Sequence, residues 1–423
     1  MGVALSKNKL GLTTFLLCVL LASTLLPSIH TTKAQESNFI TIRANGEIYP
    51  ETAPIQKEGS TYILTSDITN CHLIVKKNNT IINGANHQIQ SNNDLDKIPA
   101  IELKKIHNIT VKNLNIKGYN NQYNTNIAIL IEETRDALIK DCKLIDIAHG
   151  IRIYNSQNIK VAQNTIKELA KTGVSIYRND NVSVTNNFIS GNEDLKDTFD
   201  FIQIYGIHMN DHMNDSQNIE ISNNTISHAW YGIEILTQGA LISRNYFTKN
   251  NIGIYICNGG ENLVTENTVI DSESFGIRLS IGSETPANII YHNNFINNNM
   301  NNITELLQVS NPWFFGPESN IWDNGEEGNY WSDYTLRYPE VTRKDNPEIW
   351  LVDFFINPEN IDHYPLVNPW IPEIIRPTPT PTSTPTPEPL DVEFPVFIVA
   401  SIIIIVLGSI GMLTIGVRTK RRS

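Results

Sequence analysis

A short pattern recurs through about half of the chain and restricts its fold more than any other feature. Alternating aliphatic residues lead to asparagine in NIKVAQNTI, NVSVTNNFI, NIEISNNTI and NIIYHNNFI, which begin at residues 158, 181, 218 and 288. A second phrase, glycine followed by aliphatic, any and aliphatic residues, falls between them, as in GIRI at Gly150 and GIEI at Gly232. The period is 21 to 23 residues wherever no insertion intervenes. Each copy therefore holds two or three short strands and buries its apolar face only by stacking on its neighbours.

The repeat predicts an all-β fold, a right-handed parallel β-helix of the pectin-lyase type. The spaced leucines of a leucine-rich repeat are missing. We expect about nine rungs roughly 4.8 Å apart, with Ile and Val pointing inward. An inward amide at a turn needs a partner, and an identical amide one rung away supplies it. The recurring asparagine therefore predicts a ladder, with Cys142 holding the place in one rung, that consists of Asn83, Asn113, Asn164, Asn187, Asn224, Asn245, Asn267 and Asn294.

Both ends of the chain carry targeting features. Residues 1–35 carry Lys7 and Lys9 before the apolar run LTTFLLCVLLASTLL, as in a secretory signal peptide. Residues 394–417 are 24 residues without a charge, followed by RTKRRS, which predicts a membrane span with a cytoplasmic tail. The predicted organisation is a signal peptide (1–35), an N-terminal cap (36–76), β-helix repeats (77–302), an aromatic-rich C-terminal cap (303–371), a Pro/Thr-rich stalk (372–393), a transmembrane helix (394–417) and a basic tail (418–423).

The charge of the part outside these two ends limits its partners. That part carries 25 Lys and Arg against 44 Asp and Glu. Nucleic acid is therefore excluded as a partner, whereas glycans and divalent cations remain. Cys71, Cys142 and Cys257 are too few and too far apart in sequence to form a disulfide framework. Six sequons predict a glycoprotein, at Asn78, Asn108, Asn181, Asn214, Asn223 and Asn302.

The octet HMNDHMND, residues 208–215, has two interpretations. Deleting one HMND aligns this rung with its neighbours, which predicts a lengthened turn, while the residue types suit copper or another divalent cation. Alternation places Met209 inward and His208 outward, so these two cannot bind one ion. We predict no cofactor, and a cation bound by His208, Asp211 and His212 is the alternative. A second insertion, approximately EDLKDTFDFI, precedes the same strand, and grouped insertions commonly build a binding face.

The outward positions of the Gly-led strands predict a polysaccharide-binding face. Hydroxyl groups of sugars need polar partners, and sugar rings stack on aromatic side chains. A plain solvated surface is the alternative. The residues at the second position after each glycine are Arg152, Ser175, His208, Glu234, Tyr255 and Arg278, and those at the fourth position begin with Tyr154, Tyr177 and Asn210. The predicted substrate-binding residues are Arg152, Tyr154, Tyr177, Tyr255 and Arg278.

These motifs resemble the right-handed parallel β-helix superfamily, specifically the NosD-type, carbohydrate-binding and sugar-hydrolase-like repeats common in archaeal surface proteins. NIWDNGEEGNYWSDY (residues 320–334) and DHYPLVNPW (residues 362–370) are similar to the closing motif of those proteins. Between these two segments the carboxylates are dispersed, whereas relatives often have an Asp-rich loop of the kind that holds calcium. The resemblance implies a cell-surface β-helix, and the NosD name implies a link to copper.

Three functions follow in order of preference. The first is an archaeal cell-surface protein, anchored in the cell membrane by one C-terminal span, that binds an extracellular glycan or adheres to a neighbouring surface protein. The second is a polysaccharide lyase, hydrolase or C5-epimerase at the Gly206 rung, with His208 as proton-transfer group, Tyr205 or Tyr255 as its partner, and Glu234 one rung away. The third is a NosD-like copper-handling protein. Whether the chain is an enzyme stays open, with binding alone preferred.

Overall fold

The computed structural model describes the chain from Phe39 to Ile371 with several gaps. The described residues are 39–91, 98–119, 126–193, 204–209, 216–280, 285–299, 309–310 (backbone only) and 319–371. The predicted signal peptide, stalk, transmembrane helix and tail lie outside them. Within the described residues no helix is both long and apolar enough to cross a membrane.

The described strands form three long faces of β-sheet, each with eleven strands in the stack. The stacking is parallel except at the start of the third face, where Ile55–Glu58 and Thr61–Leu64 pair antiparallel. The first face contains Phe39–Ile42, His72–Val75, Ile101–Lys104, Ile127–Glu132, the second half of Lys143–Tyr154, the second half of Thr165–Tyr177, Tyr205–Met209, Tyr231–Ile235, Ile252–Cys257, Phe275–Ser280 and Val309–Ser310. The second face contains Ile68–Thr69, Gln88–Gln90, Asn115–Tyr119, the first halves of the same two long strands, Phe188–Gly191, Thr225–Ser227, Tyr246–Thr248, Thr268–Ile270, Asn294–Ile296 and Tyr330–Trp331. The third face contains Ile55–Glu58, Thr61–Leu64, Thr80–Asn83, His107–Lys112, Arg135–Lys140, Gln157–Ala162, Asp180–Thr185, Gln217–Ser222, Leu241–Ser243, Leu263–Thr265 and Ile289–Tyr291.

The architecture is therefore an all-β parallel β-helix, as the repeat predicted. Its parallel pairing is more extensive than expected, because it begins at Phe39 and continues to Trp331 instead of covering residues 77–302. Ile48–Tyr49 pairs antiparallel with the first strand, and Phe354–Asn357 with Asn360–Asp362 forms a closing hairpin. The one helix that lies wholly within the described residues is a single turn, Tyr334–Arg337.

Period-two alternation fills the core and sets the direction of each side chain. In Tyr205–Met209, Ile207 and Met209 are buried while His208 is partly exposed, as the alternation predicted. The repeat glycines stack in one column, and a Cβ added at Gly206 would lie 2.4 Å from the carbonyl oxygen of Gly232. Only a residue without a side chain permits this approach of consecutive rungs, which explains the Gly-led phrase.

A ladder of buried asparagines runs along one corner of the stack. Each Nδ2 donates to the Oδ1 of the next asparagine at 2.9–3.0 Å, and each backbone N–H donates to the same oxygen. The backbone N–H of Cys142 donates to Oδ1 of Asn164, so Cys142 holds the first place as predicted. The members are Asn164, Asn187, Asn224, Asn245, Asn267, Asn293 and Asn329.

Three asparagines predicted for the ladder lie beside it. Asn83 pairs with Lys112 inside a strand, and Asn113 occupies the left-handed turn position one residue before Leu114, at φ 51°. Gly84 and Leu114 hold the inward place in those rungs, so no amide is needed there. Asn294 was also wrong, because it pairs in register with Thr268, one residue after the ladder member Asn267. The ladder amide of that rung is therefore Asn293.

The C-terminal hairpin ends two ladders at once. A second, shorter ladder runs through Asn262, Asn288, Asn320 and Asn360. Asn360 Oδ1 accepts the indole N–H of Trp322 at 2.9 Å. Asp362 Oδ2 accepts the backbone N–H of Asn329 at 2.8 Å and the indole N–H of Trp331 at 2.9 Å. Trp322 and Trp331 are almost fully buried against the last rung, so they form part of the predicted aromatic plug.

No disulfide joins Cys71, Cys142 and Cys257, the three cysteines of the described residues. Cys71 and Cys142 are buried, while Cys257 is partly exposed. Burial raises the pKa of the Cys142 thiol to about 12. Cys142 is therefore a structural, unreactive thiol.

The ladder should dominate local stability. Asn224→Ala removes the acceptor of two donors of Asn187, and we expect a loss of about 2 kcal/mol or more in the free energy of unfolding, because each orphaned buried donor costs about 1–3 kcal/mol. Asn223→Gly is the matched control, since Asn223 is exposed and its left-handed backbone (φ 56°) suits glycine. Urea unfolding checks the difference, and equal losses in both variants would contradict the ladder's role.

Asp362 should make stability depend on pH. Burial raises the pKa of this carboxyl from its ordinary 3.8 to about 7 in the folded chain. The folded state therefore binds this proton more tightly, so the contribution of Asp362 to stability is fully present below pH 4 and is lost, by at most about 1.4 kcal/mol per pH unit, as the pH rises towards 7. Asp362→Asn should remove this contribution, whereas Asp345→Asn, at an exposed position, should not. Urea midpoints at pH 4 to 8 measure it, and parallel curves for the two variants would refute it.

Candidate functional site

The outward column predicted from the Gly-led strands exists on the first face. Strand register places Arg152 beside Ser175, Ser175 beside His208 and His208 beside Glu234. The column continues from Glu234 to Tyr255 and from Tyr255 to Arg278. Because the rungs are about 4.8 Å apart, these side chains form one continuous row.

The centre of the row is a histidine and carboxylate pair. His208 Nε2 lies 3.0 Å from Glu234 Oε2, and their side chains are 20% and 11% exposed. The imidazole of His208 stacks on the ring of Tyr205, with centroids 4.6 Å apart and an interplanar angle of 20°. The predicted trio of Tyr205, His208 and Glu234 is thus brought together on two consecutive rungs.

A run of tyrosine rings extends this centre along the helix axis. Tyr205 and Tyr231 have ring centroids 5.4 Å apart, and Tyr231 and Tyr255 are 5.0 Å apart. The guanidinium of Arg278 lies over the ring of Tyr255 at 5.3 Å, and its Nε is buried without a hydrogen-bond partner in the described structure. The row therefore ends at the Arg278 guanidinium, whose Nε–H is available to donate a hydrogen bond to a ligand.

Burial controls the protonation of these phenols. It raises the pKa of Tyr205 well above its usual range, and the charge of Glu234 raises it further. Burial also raises the pKa of Tyr231 and of Tyr255. All three phenols therefore carry their protons at neutral pH and act as O–H donors.

The remaining predicted residues lie further along the same face. Tyr154 and Tyr177 stack on each other with centroids 5.4 Å apart, in the column two residues beyond Arg152 and Ser175. Arg152 lies two rungs from His208, and burial lowers its pKa. Arg152, Tyr154 and Tyr177 therefore lie on the N-terminal side of His208 and Glu234 and do not contact that pair.

Sequence reasoning missed Tyr231. It precedes Gly232 as Tyr205 precedes Gly206, so the position before the repeat glycine was the available signal. Asp211 and His212, the weak metal candidates, and most of the two insertions lie outside the described residues. The cation alternative therefore stays a prediction.

Family comparison agrees with the fold and with the resemblance of the repeats. The model of the family described as "Periplasmic copper-binding protein (NosD)" matches residues 64–336. The chain belongs to the NosD family. Comparison with curated proteins gave no match for this NosD-family chain.

Several solved structures are similar in fold to this NosD-family chain. A structure of the periplasmic alginate epimerase AlgG is 14% identical with a TM-score of 0.46, covering 58% of this chain and 66% of that one. The A-module of the mannuronan C-5 epimerase AlgE4 of Azotobacter vinelandii is 13% identical with a TM-score of 0.39, covering 62% and 67%. A tailspike protein of E. coli bacteriophage HK620 is 11% identical with a TM-score of 0.41, covering 62% and 55%. The chain thus spans between about half and two thirds of the length of these proteins.

The family description raises the question of copper. Among the described residues no group of three or more His, Cys, Asp or Glu side chains is placed to hold a metal ion. His208 has one carboxylate partner, and the neighbouring Met209 points into the core. The described donor set does not fit a copper centre, since such centres use several His, Cys or Met ligands around one ion.

Proposed function

We propose that this NosD-family chain binds a glycan along the row of Tyr205, Tyr231, Tyr255, His208 and Glu234 on its first face. The observation that carries the proposal is the unbroken succession of ring contacts from His208 to Arg278. The rings stack on one another and therefore present their edges and phenolic hydroxyls outward, and these polar tips suit the hydroxyl groups of sugars.

The polar groups of the row are complementary in kind. Towards a ligand, the phenols can donate hydrogen bonds and the Glu234 carboxylate can accept them. The buried Nε–H of Arg278 is a further donor. A glycan hydroxyl both donates and accepts, so one sugar residue can pair with neighbouring rungs at once. A uronate carboxylate would in addition pair with the Arg278 guanidinium.

The cellular setting is part of the same proposal. The apolar N-terminal run, the uncharged segment at residues 394–417 and its basic flank support a single-pass surface protein with the β-helix outside. The similarity to archaeal surface proteins supports an archaeal source. The partner is then an extracellular glycan or a glycan-bearing neighbouring surface, and the sequons support a glycosylated ectodomain.

Removing rings from the row should weaken glycan binding. Tyr231→Ala and Tyr255→Ala should each reduce affinity about 3- to 10-fold, since one ring contact contributes about 0.5–1.5 kcal/mol. Tyr246→Ala, at an exposed tyrosine on the second face, is the matched control and should change nothing. A glycan array with neutral and uronate-containing polysaccharides identifies a ligand, and calorimetry measures the affinities. An ectodomain that binds no glycan, or equal effects of all three variants, would overturn the proposal.

A proton-transfer enzyme is the second candidate, favoured by the 3.0 Å contact between His208 and Glu234. The carboxylate stabilises the imidazolium that forms when His208 takes a proton from a sugar carbon, and the protonated Tyr205 can donate on the other side. An inverting hydrolase needs two carboxylates about 6.5–9.5 Å apart. The next described carboxylate of this column, Glu102, lies five rungs away, so a lyase or epimerase suits the row better.

Product analysis separates binding from catalysis. If the row is catalytic, the ectodomain should release unsaturated uronates from a polyuronate, or incorporate solvent deuterium at C5. His208→Gln should lower that rate by about 100-fold or more. Unchanged polymer after prolonged incubation, with binding intact, would eliminate the enzyme.

A further inference from the structure

A second polar cluster lies around the corner from the row proposed to bind glycan, which we call the glycan row. The cluster is on the rungs of Gly206 and Gly232. It consists of Ser190 in the second-face strand Phe188–Gly191, Glu193 just after that strand, and His228 one rung further. Ser190 pairs in register with Ser227, so His228 directly follows the partner of Ser190. None of these residues contributes to the row on the first face.

The imidazole of His228 lies between a carboxylate and a hydroxyl. Glu193 Oε1 contacts His228 Nε2 at 2.5 Å, and Ser190 Oγ lies 3.4 Å from His228 Nδ1. The Glu193 carboxylate accepts the N–H at Nε2, which leaves Nδ1 as an acceptor that faces the serine hydroxyl. The Ser190 hydroxyl also reaches the carbonyl oxygen of Gly191 at 3.2 Å, so it turns from that carbonyl to donate to His228 Nδ1. This is the order of contacts that activates a serine nucleophile, with acid, base and hydroxyl in sequence.

The backbone holds the cluster in this arrangement. A Cβ added at Gly191 would lie 1.8 Å from the carbonyl oxygen of His228, so the two rungs approach here more closely than any side chain allows. His228 has a left-handed backbone, at φ 53°, which turns its side chain at the corner. The His228 side chain is 21% exposed and that of Glu193 is 69% exposed, so the cluster opens to solvent.

We propose that Ser190, His228 and Glu193 form an ester-hydrolysing site. Ser190 Oγ bonds to the carbonyl carbon of an O-acyl ester while its proton passes to His228 Nδ1. The bond from the acyl carbon to the alcohol oxygen then breaks, and His228 returns the proton to the departing alkoxide. Water releases the acyl group from Ser190 as a carboxylic acid, with His228 again carrying the proton. Ser190 and His228 are the catalytic residues, and Glu193 is a positioning residue that fixes the imidazole tautomer.

The substrate class follows from the neighbouring face. Only Ala229 and Trp230 separate His228 from Tyr231 of the glycan row, so the cluster flanks a polymer bound there. The ester is therefore a short O-acyl group, such as acetyl, on a sugar hydroxyl. This choice of substrate rests on the proposed glycan binding, whereas the ester-hydrolysing chemistry does not.

The first test uses a substrate that needs no glycan site. The ectodomain should hydrolyse p-nitrophenyl acetate, and a fluorophosphonate probe should label Ser190, as located by peptide mass spectrometry. Ser190→Ala should lower the rate by about 100-fold or more and abolish labelling. Thr248→Ala, which removes a hydroxyl two rungs away in the same column, should leave both unchanged. An absence of hydrolysis and labelling in the wild type, or labelling elsewhere, would overturn the site.

The second test concerns Glu193. Glu193→Gln should reduce the rate about 10- to 100-fold and change the acidic limb of the pH–rate profile, and Glu193→Asp should restore part of it. A stability change without a change in the pH profile would refute the positioning role. An acetylated polysaccharide then tests the substrate: Tyr231→Ala should raise the KM for its deacetylation about 3- to 10-fold through weaker glycan binding, whereas Ser190→Ala acts on kcat. A KM unaffected by Tyr231→Ala would break the link while leaving the ester chemistry standing.

Discussion

The structure depends on satisfying buried amides at the corners of a stack. An asparagine inside an apolar coil is stable only when donors and acceptors are both paired, and here the pairing comes from the next rung. The chain of bonds has a direction, because each amide donates to the Oδ1 of the next asparagine towards the C-terminus. The closing hairpin completes both ladders: Asp362 accepts the backbone N–H of Asn329, and Asn360 accepts both donors of Asn320. The side-chain amide of Asn329 donates to the carbonyl oxygens of Ile290 and Trp322, so the first ladder ends without an orphaned amide.

This regularity turns sequence spacing into spatial proximity on the outside of the coil. Residues one repeat apart become neighbours about 4.8 Å apart. The contact between His208 and Glu234 spans such a step, as do the ring contacts of Tyr205 with Tyr231 and of Tyr231 with Tyr255. These contacts need no dedicated loop, because the inward residues that fix the register also position the outward ones. The glycine column reinforces the register, since a side chain there would meet the next rung's backbone.

Much of this was predictable because the signals repeat. The parallel coil, the glycine column, the outward row from Arg152 to Arg278 and most of the ladder follow from counting along copies of one pattern. Asn294 was mispredicted where the pattern changes by one residue, since two adjacent asparagines fit it equally well in sequence. Tyr231 was not predicted, because only the positions after each repeat glycine were compared and Tyr231 precedes Gly232. Ser190, Glu193 and His228 follow no repeated phrase, and only the corner brings them together.

Polar and aromatic side chains are distributed unevenly along the outside of the coil. The inward positions are constrained by packing and by the ladder, so they vary little from rung to rung. The outward positions carry no such constraint, and on the first face they change from Leu130 to Ser175 without disturbing the register. Yet the contact between His208 and Glu234, the ring contact between Tyr205 and Tyr231, and the contacts of the Ser190 cluster all lie on the rungs of Gly206 and Gly232. Stability does not require this concentration, because the ladder continues unchanged through both rungs. The glycan row and the Ser190 cluster thus meet on two rungs, on the two faces that adjoin one corner. One extended ligand bound there would contact both groups, as recognition followed by processing requires.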